Sequence, residues 1–156
     1  MPLLNYTTQV EAAKTVAQIT EILRAHKARS VLTNYDPNGH IESLSFEVET
    51  PQGIAGIRLP VQPDAVLRVL KRYENHIPGR FQTRDQAIRV AWRIVKDWVE
   101  AQMAILETEM VKMEQIFLPY IIHPSGQTFF EVFEGRKLLT DGDKSEETQK
   151  LTGQIQ

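Results

Sequence analysis

Apolar residues recur along this chain with two different periods. Across Lys14 to Lys27, the residues Val16, Ile19, Ile22 and Leu23 keep i, i+3, i+4 spacing. That predicts a helix with one narrow apolar face, suited to packing on a sheet. From Ser30 the period shortens to two. Ser30 to Tyr35 has strand composition, and Asp36-Pro37-Asn38-Gly39 follows as a hairpin turn, because Pro presets φ while Asn and Gly tolerate φ > 0. Over Ile41 to Val48, Leu44, Phe46 and Val48 alternate with Ser43, Ser45 and Glu47, the signature of a half-buried return strand. Pro51-Gln52-Gly53 turns the chain again, and Ile57 and Leu59 flank Arg58 in a third strand. Strands joined by tight turns pair antiparallel. Tyr6 to Val10 is a candidate extension of this meander.

Helical spacing returns after Pro60 and Pro63. Asp64 to Tyr73 predicts a short helix with Val66, Leu67 and Leu70 inside. Thr83 reads as an N-cap, with Gln86 three residues on to complete a capping box. The helix it opens runs from Arg84 to at least Leu106, with an extension to Gln115 and a break near Thr108 both open. Gln127 to Leu139 fits either period: Phe129, Glu131 and Phe133 alternate, while Ser125 as a cap favours a helix. From Thr140 onward the residues are polar, and a disordered tail over 140–156 is expected. The fold class is therefore α+β, a small antiparallel β-meander packed against helices with one long central helix, in a single domain over 1–139.

The long helix is unusually apolar. Ile88, Val90, Ala91, Trp92, Ile94, Val95, Trp98 and Val99 leave polar residues on well under half of its circumference, whereas a surface helix needs an apolar stripe of about 100°. Extended to residue 115 it would be about 48 Å long, against a diameter of about 40 Å for a globule of this size. Both arguments point to a homodimer or larger assembly built on this helix, with Trp98, Met103 and Met110 at the contact. The competing reading is a core helix wrapped by its own sheet and flanking helices.

Composition narrows the chemistry. The 156 residues include no cysteine, which excludes thiolate metal sites, a Cys nucleophile and disulfides. No apolar run reaches the ~20 residues of a membrane span, and the N-terminus lacks a signal-peptide pattern, so a cytoplasmic location without membrane partners is expected. The four histidines lie far apart, no nucleotide-binding glycine motif is visible, and no metal or cofactor is called for. Net charge is −2, but residues 58–96 carry nine Lys or Arg against three acids, and residues 97–115 carry one against five. Arg68, Lys71 and Arg72 share one helical face, and Arg80, Arg84 and Arg89 follow, near Tyr73 and Phe81. Arginine forks suit phosphate oxygens, and rings suit stacked bases. The same stripe is also what a solvated helix face looks like, with Asp85–Arg89 and Arg93–Asp97 as i, i+4 pairs. Glu107 and Glu114, seven apart, could share a face as a metal-binding carboxylate pair, the weakest of these readings.

The run Gln86-Ala87-Ile88-Arg89-Val90-Ala91-Trp92-Arg93-Ile94-Val95-Lys96-Asp97-Trp98-Val99-Glu100-Ala101-Gln102, followed by Phe117-Leu118-Pro119-Tyr120, resembles a group of small bacteriophage- and prophage-encoded proteins with no settled activity. Leu4-Asn5-Tyr6-Thr7-Thr8, the Tyr35-Asp36 hairpin and Arg58-Leu59-Pro60 look similar too, so the resemblance covers roughly residues 3–139. It implies a setting in a host cytoplasm, in phage DNA metabolism or counter-defence. The first functional expectation is a non-enzymatic single-stranded nucleic-acid-binding protein of a replication or recombination module. Arg68, Lys71, Arg72, Arg80, Arg84 and Arg89 would meet phosphates, while Tyr73 and Phe81 would stack. The second is a counter-defence protein that sequesters a nucleotide signal or binds a host defence protein.

Overall fold

The computed structural model describes residues 2–73 and 76–136. In chain order they form α1 (Ala12–Ala25), β1 (Ser30–Tyr35), β2 (Ile41–Thr50), β3 (Gly53–Arg58), α2 (Pro63–Arg72), a 3-10 turn (Gly79–Phe81), α3 (Arg84–Glu107), α4 (Met113–Phe117), a second 3-10 turn (Leu118–Tyr120) and α5 (Phe129–Arg136). This is an α+β fold. The tail expected over residues 140–156 lies outside the described residues.

The sheet is an antiparallel meander in the order β1-β2-β3. Its centre is β2, where Leu44, Phe46 and Val48 point inward with the predicted period of two. At the first hairpin the Asp36 carboxylate accepts from the amides of Asn38 and His40, both at 2.9 Å, and Gly39 adopts φ +81°. Tyr6–Val10 does not extend the sheet. That segment is an irregular turn crossing the start of α3.

α3 is central, and its length and apolar breadth are both accounted for within one chain. It ends at Glu107, giving about 36 Å rather than 48 Å. Thr108 breaks it by folding its hydroxyl back onto the Ile105 carbonyl. One side buries Val95, Val99 and Met103 against α1 (Val16, Ile19, Leu23) and the inner face of the sheet. Another carries Ala87 into a smaller core with Leu70 of α2 and Ile77. The three residues expected at an oligomer contact are placed differently from one another. Met103 is 2% exposed, Trp98 packs edge-on against Phe117 and Tyr120, and Met110, though exposed, lies beyond the helix end. One small sheet covers only one side of α3; α1 and α2 pack on further sides, and a strip with Glu100, Ala101 and Ala104 stays exposed.

Past α4, Ile121 and Ile122 pair with the outer edge of β3, where the Ile122 amide donates to the Gly56 carbonyl at 2.7 Å. The chain reverses at Gly126, Thr128 bridges back to Ile122, and Phe129–Arg136 takes the helical alternative; residues 137–139 lie outside the described residues. The cap is Thr128, whose hydroxyl accepts from the Glu131 amide at 3.3 Å, and not Ser125. Among the described residues no helix is long and apolar enough to cross a membrane.

Candidate phosphate-binding site

The site is assembled around the first turn of α3. Thr83 caps that turn, its hydroxyl accepting from the Gln86 amide at 3.2 Å. Gln86 does not complete the predicted capping box. Its side chain is buried and turns away from the cap, donating to the carbonyls of Tyr6 and Thr8 at 2.8 and 2.9 Å. Its amide oxygen accepts from Nε and Nη2 of Arg89 at 3.1 and 2.9 Å. Asn5, at φ +64°, adds a second anchor by donating to Asp97 at 2.8 Å. Left-handed backbone of this kind is tolerated by Asn better than by other non-glycine residues. The N-terminal segment is thus pinned across α3.

Between that segment, the first 3-10 turn and α3 lies an open cavity of about 600 Å³. Thr8, Gln9 and Glu11 line one wall, and Arg80, Phe81, Gln86 and Arg89 line the other. The Arg80 guanidinium carbon sits 4.8 Å from the centroid of the Phe81 ring, a cation–π distance. Tyr6 meets the same ring edge-on at 5.7 Å. Glu11 stands 3.6 Å from Arg89 and supplies negative charge at the rim.

Three of the predicted residues, Arg80, Phe81 and Arg89, therefore come together. Arg68, Lys71 and Arg72 are exposed on α2 and have no ion pair among the described residues. Leu70, Ile77 and Ala87 pack α2, the connector and α3 into one small core, against which Phe81 of the cavity wall also rests, while no α2 residue lines the cavity itself. Arg84 differs from these cations: it is ion-paired with Asp64. Tyr73 and Phe81 are half-buried in the same small core, so neither ring is free on both faces for an intercalated base. The i, i+4 pairs anticipated on α3 also differ. Arg89 turns to Gln86 and Glu11, Arg93 donates to Gln18 of α1 at 2.6 Å, and Lys96 pairs with Glu100 at 2.7 Å.

The carboxylate pair is corrected as well. α3 ends at Glu107, and Glu114 belongs to α4, so they share no helical face. Glu107 instead accepts from Nε2 of His26 at 2.8 Å. Among the described residues no three His, Asp or Glu side chains converge as a metal site. Sequence reasoning missed Thr8, Gln9, Glu11 and the tertiary role of Gln86. Gln86 was marked by its place after Thr83, but that signal is local, whereas its partners are 78 and 80 residues away.

Compared with known proteins, the chain matches no family model, no curated protein and no solved structure.

Proposed function

We propose that the chain is a non-enzymatic binding protein for single-stranded nucleic acid, with the backbone running along the α2 face and one phosphate entering at Arg80 and Arg89. The observation that carries this reading is the meeting of Arg80 and Arg89 with Phe81 at one cavity, with three exposed α2 cations nearby in the chain that have no ion pair among the described residues. Phosphates need fixed guanidinium forks, and Gln86 holds the fork of Arg89 in place. Phe81 offers a base at most one edge or a partial face, so affinity comes chiefly from charge. The resemblance to phage-encoded proteins fits a role in a replication or recombination module within a host cytoplasm.

Charge-driven binding has a measurable slope. Three or four neutralised phosphates on a single strand give a fall in affinity of roughly 20- to 50-fold between about 50 and 200 mM salt. Fluorescence anisotropy with a labelled oligonucleotide reads this directly. The double variant Lys71→Glu, Arg72→Glu should lower affinity and flatten the slope, and Arg80→Glu should do the same. Binding that ignores salt, or that survives both variants, refutes the reading.

The cavity volume favours a second reading. About 600 Å³ lies within the range of small-ligand sites, roughly 300–1,000 Å³, so a free nucleotide fits where one unit of a polymer would. This is the counter-defence alternative. A thermal shift with mononucleotides and none with oligonucleotides would select it.

A further inference from the structure

α5 is eight residues long, contains three phenylalanines and has no buried residue. A free helix of this length is marginal in water, since helical stability in proteins comes from covering an apolar face. Here the helix is held by its base. The Phe129 amide donates to the Ile121 carbonyl at 2.9 Å, and the His123 amide to the Gln127 carbonyl at 2.7 Å. Arg58 reaches the Gly126 carbonyl at 3.3 Å and Glu131 at 3.9 Å. The outer side of α5 is therefore a fixed surface that no other described residue covers.

Two shallow grooves meet along that side. One, of about 470 Å³, runs between Leu118, Phe130 and Phe133; the other, of about 820 Å³, runs from Ile54 to Leu118; Phe129 and Leu118 belong to both. These five side chains are between 36% and 55% exposed. Taking about 200 Å² for a fully exposed large apolar side chain, they present roughly 450 Å² of continuous apolar surface. A standard interface buries about 800 Å² per partner, a little over half of it apolar. The patch with its polar rim has that size and composition.

We infer that a second copy of this chain docks on α5, in a two-fold arrangement with Phe130 and Phe133 at its centre. The rim charges favour a copy over a strongly charged partner: Lys112 and Arg136 line the grooves together with Glu114, so the rim carries both signs and little net charge. A two-fold axis can set each sign opposite the other. Residues 137–156 of the same chain are a poor match for the surface. Their large apolar side chains are Leu138, Leu139, Leu151 and Ile155, with the two pairs separated by a polar stretch.

The test is the mass of the full chain by light scattering, at concentrations up to about 100 µM, a range that includes the weaker end of standard-size interfaces. The expected result is twice the 17.9 kDa of one chain. Phe130→Asp and, separately, Leu118→Lys should return it to a single copy with an unchanged circular-dichroism spectrum, because both residues are exposed. Ala104→Glu, on the exposed side of α3, should leave the dimer intact. A single copy at every concentration overturns the inference, whether the groove is then covered by residues 137–156 or by a foreign protein. A dimer that survives both α5-side variants, or that Ala104→Glu dissolves, also overturns it.

Discussion

Replacing Gln86 separates a local from a tertiary role for one side chain. A capping-box glutamine acts within its own first turn, and its loss costs at most about 1 kcal/mol. The observed Gln86 is buried, and its amide nitrogen holds two main-chain carbonyls of the N-terminal segment. Each such bond contributes about 0.5–1.5 kcal/mol net, and carbonyls left buried and unpaired cost more. The charge-assisted fork to Arg89 adds to this, discounted because that guanidinium keeps Glu11 and partial access to water. Gln86→Ala should therefore destabilise the fold by about 2–4 kcal/mol in urea unfolding.

Gln86→Glu makes the contrast sharper. A capping box accepts Glu as readily as Gln. The tertiary role does not, because a carboxylate cannot donate and would face the Tyr6 and Thr8 carbonyls. We expect Gln86→Glu to cost as much as Gln86→Ala or more. Both variants should also speed hydrogen exchange at the amides of Tyr6 and Thr8, which now bond to the carbonyls of Leu3 and Asn5. If Gln86→Glu is neutral and Gln86→Ala costs less than about 1 kcal/mol, the pin across α3 is not what holds the N-terminal segment.

Three further outcomes follow from particular residues. The His26 ring nitrogens face two acceptors, the Ile22 carbonyl and Glu107, each at 2.8 Å, so only the protonated ring can donate to both; the carbonyl first and the carboxylate second raise its pKa above the ordinary value. A raised folded-state pKa stabilises fully below the unfolded value of about 6.5 and is lost as pH climbs through the folded value. Melting temperatures of the wild type should therefore fall relative to His26→Asn as pH rises from about 6 to 8; parallel curves would count against the bridge. Gly53 closes the second hairpin at φ +126° with open space where a Cβ would sit, so Gly53→Ala should cost about 1–3 kcal/mol from backbone strain alone. Gly79→Ala, also in open space but without positive φ, should be neutral or slightly stabilising in the same unfolding assay. Trp92 is fully buried, and Trp92→Ala should cost about 3–5 kcal/mol, read as a lower urea midpoint.

How much of this was legible depends on the range over which each signal acts. The alternation of Leu44, Phe46 and Val48 fixes which face of β2 turns inward, and Thr83 marks the start of α3, because both effects are settled within a few residues. Residues whose partners come from distant segments could not be read. His26 and Glu107 are 81 positions apart, and nothing around either one announces the other. The breadth of the apolar arc on α3 fitted two covers, a second copy or the chain's own elements: periodicity reports how much of a helix is dry, not whose side chains keep it so. Among the described residues, three exposed phenylalanines lie on α5, where eight residues are too few for the period to reveal an apolar face.

The cationic stretch shows the same limit in charge. By spacing, Arg80, Arg84 and Arg89 are equivalent, three guanidinium groups within ten positions of the start of α3. Tertiary structure makes them different. Arg84 is ion-paired with Asp64, Arg89 is oriented by a buried amide and shared with Glu11, and Arg80 lies along a ring. A phosphate approaching this region competes with a different partner at each residue: a carboxylate at Arg84, an exposed carboxylate at the rim beside Arg89, and only the weaker pull of a ring at Arg80. The strength of an anion site is set by what its cations must give up, and on that ground Arg80 should contribute most to binding and Arg84 least, an order opposite to none that the sequence could supply.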